Sequence, residues 1–276
     1  MSKVNSFSIE PQKKFSIGFE ELWNYRELFF IFTWREVRVR YKQAALGVIW
    51  AILQPLAMML VFTLVFSKGL QVKSEALPYP LFAFSGLMIW NIFSNGLQNA
   101  ANSMVLNANM IKKIYFPRLV IPISSILVTV FDFLMALMIY IGILFYFGYE
   151  ASILRVIVYL PVSVILTVLT TFGLGSFLAA LNVKYRDFQY AIPFMIQFLL
   201  FINPVLYSTS IFQSPNAKYF MALNPISTAI NISRAALNGT ALDLSLIFIS
   251  SLSVIAFLIL GIYTFRKTEA YFADIA

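Results

Sequence analysis

RLVIPISSILVTVFDFLMALMIYIGILFYF, residues 118–147, is the stretch on which the fold turns. Its charged side chains are Arg118 at the edge and Asp132 inside. A helix needs roughly 20 apolar residues to cross the hydrocarbon core of a bilayer, so this run spans it with length to spare. Further runs of spanning length lie at 45–67, 79–98, 153–181, 188–211 and 242–265, which predicts six transmembrane helices. Composition agrees. Of 276 residues, 60% are hydrophobic and 12% charged, with a mean hydropathy of +0.81. Soluble domains are about 45–50% apolar and about 25% charged. Backbone polar groups in lipid must be satisfied within the segment, so the expected class is an all-α integral membrane protein.

The chain has no Cys and no His, which removes disulfides, thiolate nucleophiles, ordinary zinc sites and imidazole acid–base chemistry. The first 20 residues hold no signal-peptide core, so no cleavage is expected. Lys and Arg are divided unequally between the loops. Fifteen fall on the side of the N-terminal segment, the loop 99–117 with Arg118 at its end, the turn 182–187 and the tail; five fall on the other. The positive-inside rule then puts both termini in the cytoplasm. The net charge of +8 is topological, with no nucleic-acid partner implied.

Two segments depart from the span pattern. Residues 22–43 read as an amphipathic helix in the membrane interface, with Phe30, Trp34, Val37 and Tyr41 as its apolar stripe and Arg35, Arg38 and Lys42 beside them. The alternation Val37–Arg38–Val39–Arg40 suits a strand as well, but an open strand edge beside lipid leaves backbone groups unpaired. Residues 212–240 are too polar for a lipid-facing span. Ser214–Pro215 and Asn224–Pro225 each read as a cap followed by proline in the first turn, predicting a short helical hairpin re-entering the outer leaflet between spans five and six.

The local sequence adds a resemblance. It rests on WREVRVRYKQAALGVIWAILQPL (34–56), PYPLFAFSGLMIWNIFSN (78–95), NSMVLNANMIKKIYFPRLVIPISS (102–125), ALNVKYRDFQYAIPFMIQFLLFINPVLY (180–207), ALNPIS (222–227) and the terminal YFADIA. In this order and topology the chain resembles the permease subunits of ABC-2 exporters of bacterial surface polysaccharides. The whole of 1–276 then forms a single transmembrane domain. O-antigen, capsule and teichoic-acid permeases share these stretches; the O-antigen type is favoured. The resemblance implies a half-transporter in the bacterial inner membrane. Two permease copies would pair as a homodimer around a central channel, dock two copies of a cytoplasmic ATPase and export a lipid-linked polysaccharide. The sequence contains no G-x-x-x-x-G-K-[ST] loop, so ATP and Mg belong to the partner and no cofactor to this chain.

Candidate site residues follow. By resemblance 99–117 is the cytoplasmic coupling segment, with Asn107, Asn109, Lys112, Lys113 and Tyr115 toward the ATPase. Lys184 and Arg186, in the turn between spans four and five, are a second contact. Leu46–Gly47 is either a gating hinge or a packing glycine. Tyr190, Phe194, Phe198 and Phe201 share one helical face with Gln197 among them, and Trp50, Gln54, Met58 and Phe62 form an i+4 ridge interrupted by Pro55. Aromatic faces suit a sliding sugar chain, because a pyranose ring presents an apolar C–H face. Both stripes are therefore candidate channel lining, against the alternative of packing on other helices or lipid. Asp132, alone in its span, reads as a group bonded to another helix or paired with a basic residue. A carrier driven by an ion gradient is the alternative class. It calls for inverted repeats with matched broken helices, and none is evident. A membrane glycosyltransferase calls for several carboxylates near a membrane face, and only Asp132 is buried in a span.

Overall fold

Tyr79–Leu106 forms a helix of 28 residues rich in Ser, Asn and Gly, and it is the hub on which the other long helices assemble. The computed structural model describes residues 19–42, 49–71, 77–211 and 214–269, and every regular element among them is helical. In chain order these are α1 (Phe19–Asn24), α2 (Arg26–Lys42), α3 (Ile49–Phe62), α4 (Tyr79–Leu106), α5 (Ala108–Ile111), α6 (Val120–Tyr146), α7 (Ile153–Lys184), α8 (Phe188–Ile202), α9 (Pro215–Ala222), α10 (Pro225–Asn238) and α11 (Leu244–Glu269). A π-helical stretch, Thr63–Gly69, continues α3, and a 3-10 turn, Thr209–Ile211, follows α8. Four helices among the described residues are long and apolar enough to cross a membrane: Ile52–Gly69, α6, α7 and α11.

Small and hydroxylated residues make the close packing possible. Every residue of α4 from Leu81 to Trp90 is buried, against α6, α7 and α10. Phe84 stacks on Tyr140, whose hydroxyl donates to the Leu81 carbonyl at 3.1 Å. Helices α7 and α11 meet at Gly173 and Gly261. A Cβ on Gly173 would lie 2.6 Å from the Phe257 carbonyl carbon, and one on Gly261 would lie 2.0 Å from the Gly173 oxygen. Lipid tails are as apolar as leucine, so helix association in a membrane depends on such close approach and on bonds between helices.

Two of the expected spans shift, and the N-terminal helix departs from its expected stripe. The second grows: α4 runs to Leu106 and takes in the first part of 99–117, leaving one turn of helix at Ala108–Ile111 and an irregular, exposed stretch after it. The fifth shrinks. Helix α8 stops at Ile202; its 15 residues reach about 22 Å, short of the roughly 30 Å core. Residues 203–206 continue toward Tyr79 without regular structure, yet they are buried. That is the condition under which irregular backbone is tolerated at membrane depth. The N-terminal element is helical, as expected, but broken at Tyr25. Its predicted stripe is split too: Val37 is buried and Tyr41 half-buried, whereas Phe30 and Trp34 face outward, stacked on each other. The face toward α6 is chosen by hydrogen bonds to Ser125 and Asp132, which positions 36, 40 and 41 supply.

The two short helices of 212–240 are present with proline in each first turn. Asn224 caps α10 by accepting from the Ile226 amide at 3.2 Å, and Gly239 ends it at φ 73°, where glycine carries no Cβ penalty. Their surroundings differ from a lipid-dipped hairpin. Nearly all of α10 is buried against α7 and α4, held by Ser163 donating to the Ala229 carbonyl, while Ser250 of α11 donates to the Ala222 carbonyl at the end of α9, both at 2.7 Å.

Candidate functional site

One end of the bundle collects the cytoplasmic candidates. Asn182, near the end of α7, donates to the Ala101 carbonyl at 3.0 Å and to Asn102 Oδ1 at 2.9 Å, joining the ends of α4 and α7. Arg118 donates to the Glu269 carbonyl, bringing in the end of α11. Arg35 of α2 donates to Asn107 Oδ1 at 2.8 Å, and Asn107 Nδ2 donates to the Ser103 carbonyl at 2.8 Å. Asn107 is therefore committed to fixing the α4–α5 corner, and its side chain is not presented outward. Asn109, Lys112, Lys113 and Tyr115 are exposed on one side of this end; Lys184 and Arg186 are exposed in the α7–α8 turn, with the Lys184 ammonium 5.1 Å from the Tyr185 ring centroid. Leu46 and Gly47 lie outside the described residues.

The α8 stripe stands clear of the chain's own core. Tyr190, Phe194, Phe198 and Phe201 are 61–81% exposed and Gln197 is exposed with them, while Ile192 and Ile196 point the other way into the core. The α3 ridge is less uniform. Met58 is exposed, Phe62 is half-buried with its ring edge-on to Phe66 at 6.0 Å, and the side chain of Trp50 lies outside what the structure describes. Gln54 opens instead onto a cavity toward α4 and α6.

That cavity adjoins Asp132. Arg40 Nη1 pairs with Asp132 Oδ2 at 2.6 Å, and the Tyr41 hydroxyl donates to Oδ1. The lone intramembrane carboxylate is thus held by the C-terminal turn of α2. Burial, and the carboxylate beside it, push the Tyr41 phenol above its ordinary range, so it stays a donor. One turn earlier, Glu36 accepts from Ser125 at 3.2 Å. Burial raises its carboxyl above the usual value, outweighing the Ser125 bond and the charges of Arg35 and Arg40.

Arg234 is a buried side chain that sequence patterning hides, because it counts there as one loop cation among others. It is 3% exposed and donates to the carbonyls of Pro204 (2.6 Å), Val205 (2.7 Å), Tyr207 (3.3 Å) and Phe82 (3.5 Å), with its guanidinium 3.5 Å from the Phe82 ring centroid. The Phe82 carbonyl belongs to α4; those of Pro204, Val205 and Tyr207 lie in the irregular segment that follows the end of α8. The guanidinium does for these three what helix would have done. Gly86 makes room, since a Cβ there would lie 2.8 Å from Arg234 Nη2 and 3.1 Å from the Val205 oxygen.

Comparison with known proteins places this architecture. An O-antigen export system permease protein of Klebsiella pneumoniae is 28% identical over 249 residues, covering 90% of this chain and 95% of the relative. One of Myxococcus xanthus is 32% identical over 208 residues, 75% and 78% of the two chains. A polysialic acid transport protein of Escherichia coli is 22% identical over 240 residues, 85% and 91%. The family described as ABC-2 type transporter matches residues 27–238, from the second residue of α2 to the last of α10. That match takes in the α8 stripe, the basic end and the Arg234 clamp together, and the chain belongs to the ABC-2 type transporter family.

Proposed function

We propose that this chain is the membrane-spanning permease of an ATP-driven exporter that carries a lipid-linked polysaccharide, O-antigen, across the bacterial inner membrane. The observation that carries the reading is similarity over 75–90% of the chain to O-antigen export permeases of two genera. Capsular polysaccharide or teichoic acid is the alternative cargo, the former favoured by the polysialic acid transport relatives.

In this reading the polypeptide crosses six times: α3 with its π-helical end, α4, α6, α7, α8 with the clamped segment after it, and α11. The α9–α10 hairpin re-enters from the outer face, and both termini are cytoplasmic. Residues 1–276 form one transmembrane domain that works as a homodimer. The uncovered aromatic face of α8, with Met58, Phe62 and Trp50 of α3, lines the path between the copies. Successive exposed rings offer repeated shallow contacts, which a sliding sugar chain needs and a tight pocket prevents. ATP and Mg are bound by two copies of a separate ATPase, seated on the basic end. The segment after α4 couples the two, with Leu46–Gly47 acting as a hinge. A rigid helix end at such an interface transmits small shifts without stretching.

The test is charge reversal on that end. Lys112→Glu with Lys113→Glu should leave insertion and thermal stability intact and weaken copurification with the ATPase by at least about tenfold, since like charges facing each other across an interface cost several kcal/mol. A complex that forms normally, with unaltered transport-linked ATP hydrolysis, overturns the coupling role of this segment.

A further inference from the structure

The cavity beside Asp132 is lined by four side-chain amides for which the described residues supply no hydrogen-bond partner. It has a volume of about 350 Å³, within the roughly 300–1,000 Å³ range of ligand sites, and lies among α2, α3, α4 and α6. Asn91, Asn95 and Asn99 recur every fourth residue on α4, so one face of that helix turns all three into it, and Gln54 of α3 joins them. None of these four amides has a hydrogen-bond partner among the described residues. Ser85, Ser103 and Asn102 of the same helix, by contrast, are all bonded. Amides left open inside a membrane domain carry a desolvation cost unless water or a ligand meets them.

The lining defines the ligand's chemistry. Arg40 and Asp132 are paired and cancel, so the cavity presents no net charge. A phosphate would meet one guanidinium already engaged and a carboxylate beside it. What remains open is primary amide, each with two donors and an acceptor oxygen, which matches neighbouring hydroxyls. Beside them, Ile92 of α4 and Phe133 and Ala136 of α6 add an apolar surface of the kind a pyranose C–H face rests on. The cavity is set apart from the α8 stripe, which turns its rings away from the core.

We propose that this cavity is a second carbohydrate site, which holds a neutral sugar unit of the lipid-linked substrate by the amide ladder Asn91–Asn95–Asn99 before the chain reaches the aromatic path. It rests on the export reading above and names a site for the same substrate. The α2–α6 tie through Arg40, Tyr41 and Asp132 then forms one wall of the site.

The experiment uses the full chain in phospholipid nanodiscs, free of sugar detergents, with octyl β-glucoside below its micelle concentration as the probe. Octyl phosphate and an octyl ethylene-glycol ether serve as competitors. Saturable glucoside binding is expected, weakened at least about tenfold by Asn91→Leu with Asn95→Leu, because that pair removes two sets of hydrogen bonds and keeps the volume. Asn95→Ser, a milder change, should weaken it less, and it serves as the test if the double variant does not fold. Glucoside binding unchanged in a folded variant overturns the site. So does equal competition by the ether, which marks an apolar groove, or tighter binding of the phosphate, which marks an anion site. The two readings fail separately: export that survives with no glucoside binding removes this site alone, and glucoside binding in a chain that exports no polysaccharide removes the export reading alone.

Discussion

Helices α4 and α8 reverse the order found in soluble proteins. The first carries Ser85, Gly86, Asn91, Ser94, Asn95, Gly96 and Asn102, and most of its length is buried. The second is apolar and aromatic, and it turns Tyr190, Phe194, Phe198 and Phe201 outward. In water the apolar helix would be driven inside. In lipid that drive is absent, and what draws a helix into the bundle is close packing and bonds between helices, for which α4 has the residues. The comparison teaches that in this chain polarity marks the interior and apolar surface marks the exterior. An outward aromatic face is then the ordinary lipid-facing condition unless something selects for its rings. Ring alignment along one face is the feature that lipid exposure alone does not require.

The contrast can be broken first at α4. Gly86→Leu drives a side chain into Arg234 and the Val205 backbone, displacing the guanidinium from carbonyls that have no water to turn to. A loss of about 3 kcal/mol is expected, from overpacking together with broken buried bonds. It should be visible as a collapse in folded yield and melting temperature after extraction. A tolerated Gly86→Leu would mean that the buried clamp does not hold the break in α8.

The matching change on α8 sharpens it. Phe194→Leu, Phe198→Leu and Phe201→Leu together keep most of the volume on a face that touches little of the chain, so stability should move by less than about 1.5 kcal/mol. Polysaccharide export per assembled complex should fall severalfold, further than for any single change, because adjacent gaps interrupt one path. Normal export with lowered stability would return the stripe to a packing role and shift the sugar path to α3.

The smallest effect lies on α2, whose two faces meet both conditions. The folded state raises the Glu36 pKa, so this carboxyl contributes fully below its ordinary value of 4.5 and loses that contribution as pH climbs through the raised value. Glu36→Gln keeps the acceptor for Ser125 and cannot ionise. Melting temperatures of variant and parent should coincide at low pH and separate toward neutral pH in favour of Gln, by about 2 °C or less. A parent that gains on Gln as pH rises would reverse the sign.

Much of this was legible in the residues. The spans on α6, α7 and α11 follow from long apolar runs, and the caps at Asn224–Pro225 from local chemistry that needs no tertiary partner. The exposed aromatic face of α8 follows from its i, i+4, i+8, i+11 spacing. The Asn91–Asn95–Asn99 ladder had the same kind of signal, an amide every fourth residue inside a span, where amides face protein or water.

Composition, periodicity and end signals act along the chain within a few residues, so the sequence by itself determined the helical class, the apolar segments and the sites where helices start. Only the tertiary structure decided where α8 ends, which face of α2 meets α6, and that α10 is buried. Each of those is settled by a partner far away in sequence. Arg234 reaches Pro204 and Val205, Arg40 and Tyr41 reach Asp132, and Ser163 reaches Ala229. A backbone carbonyl freed in a membrane must find a donor somewhere, and no local pattern says which distant side chain will supply it.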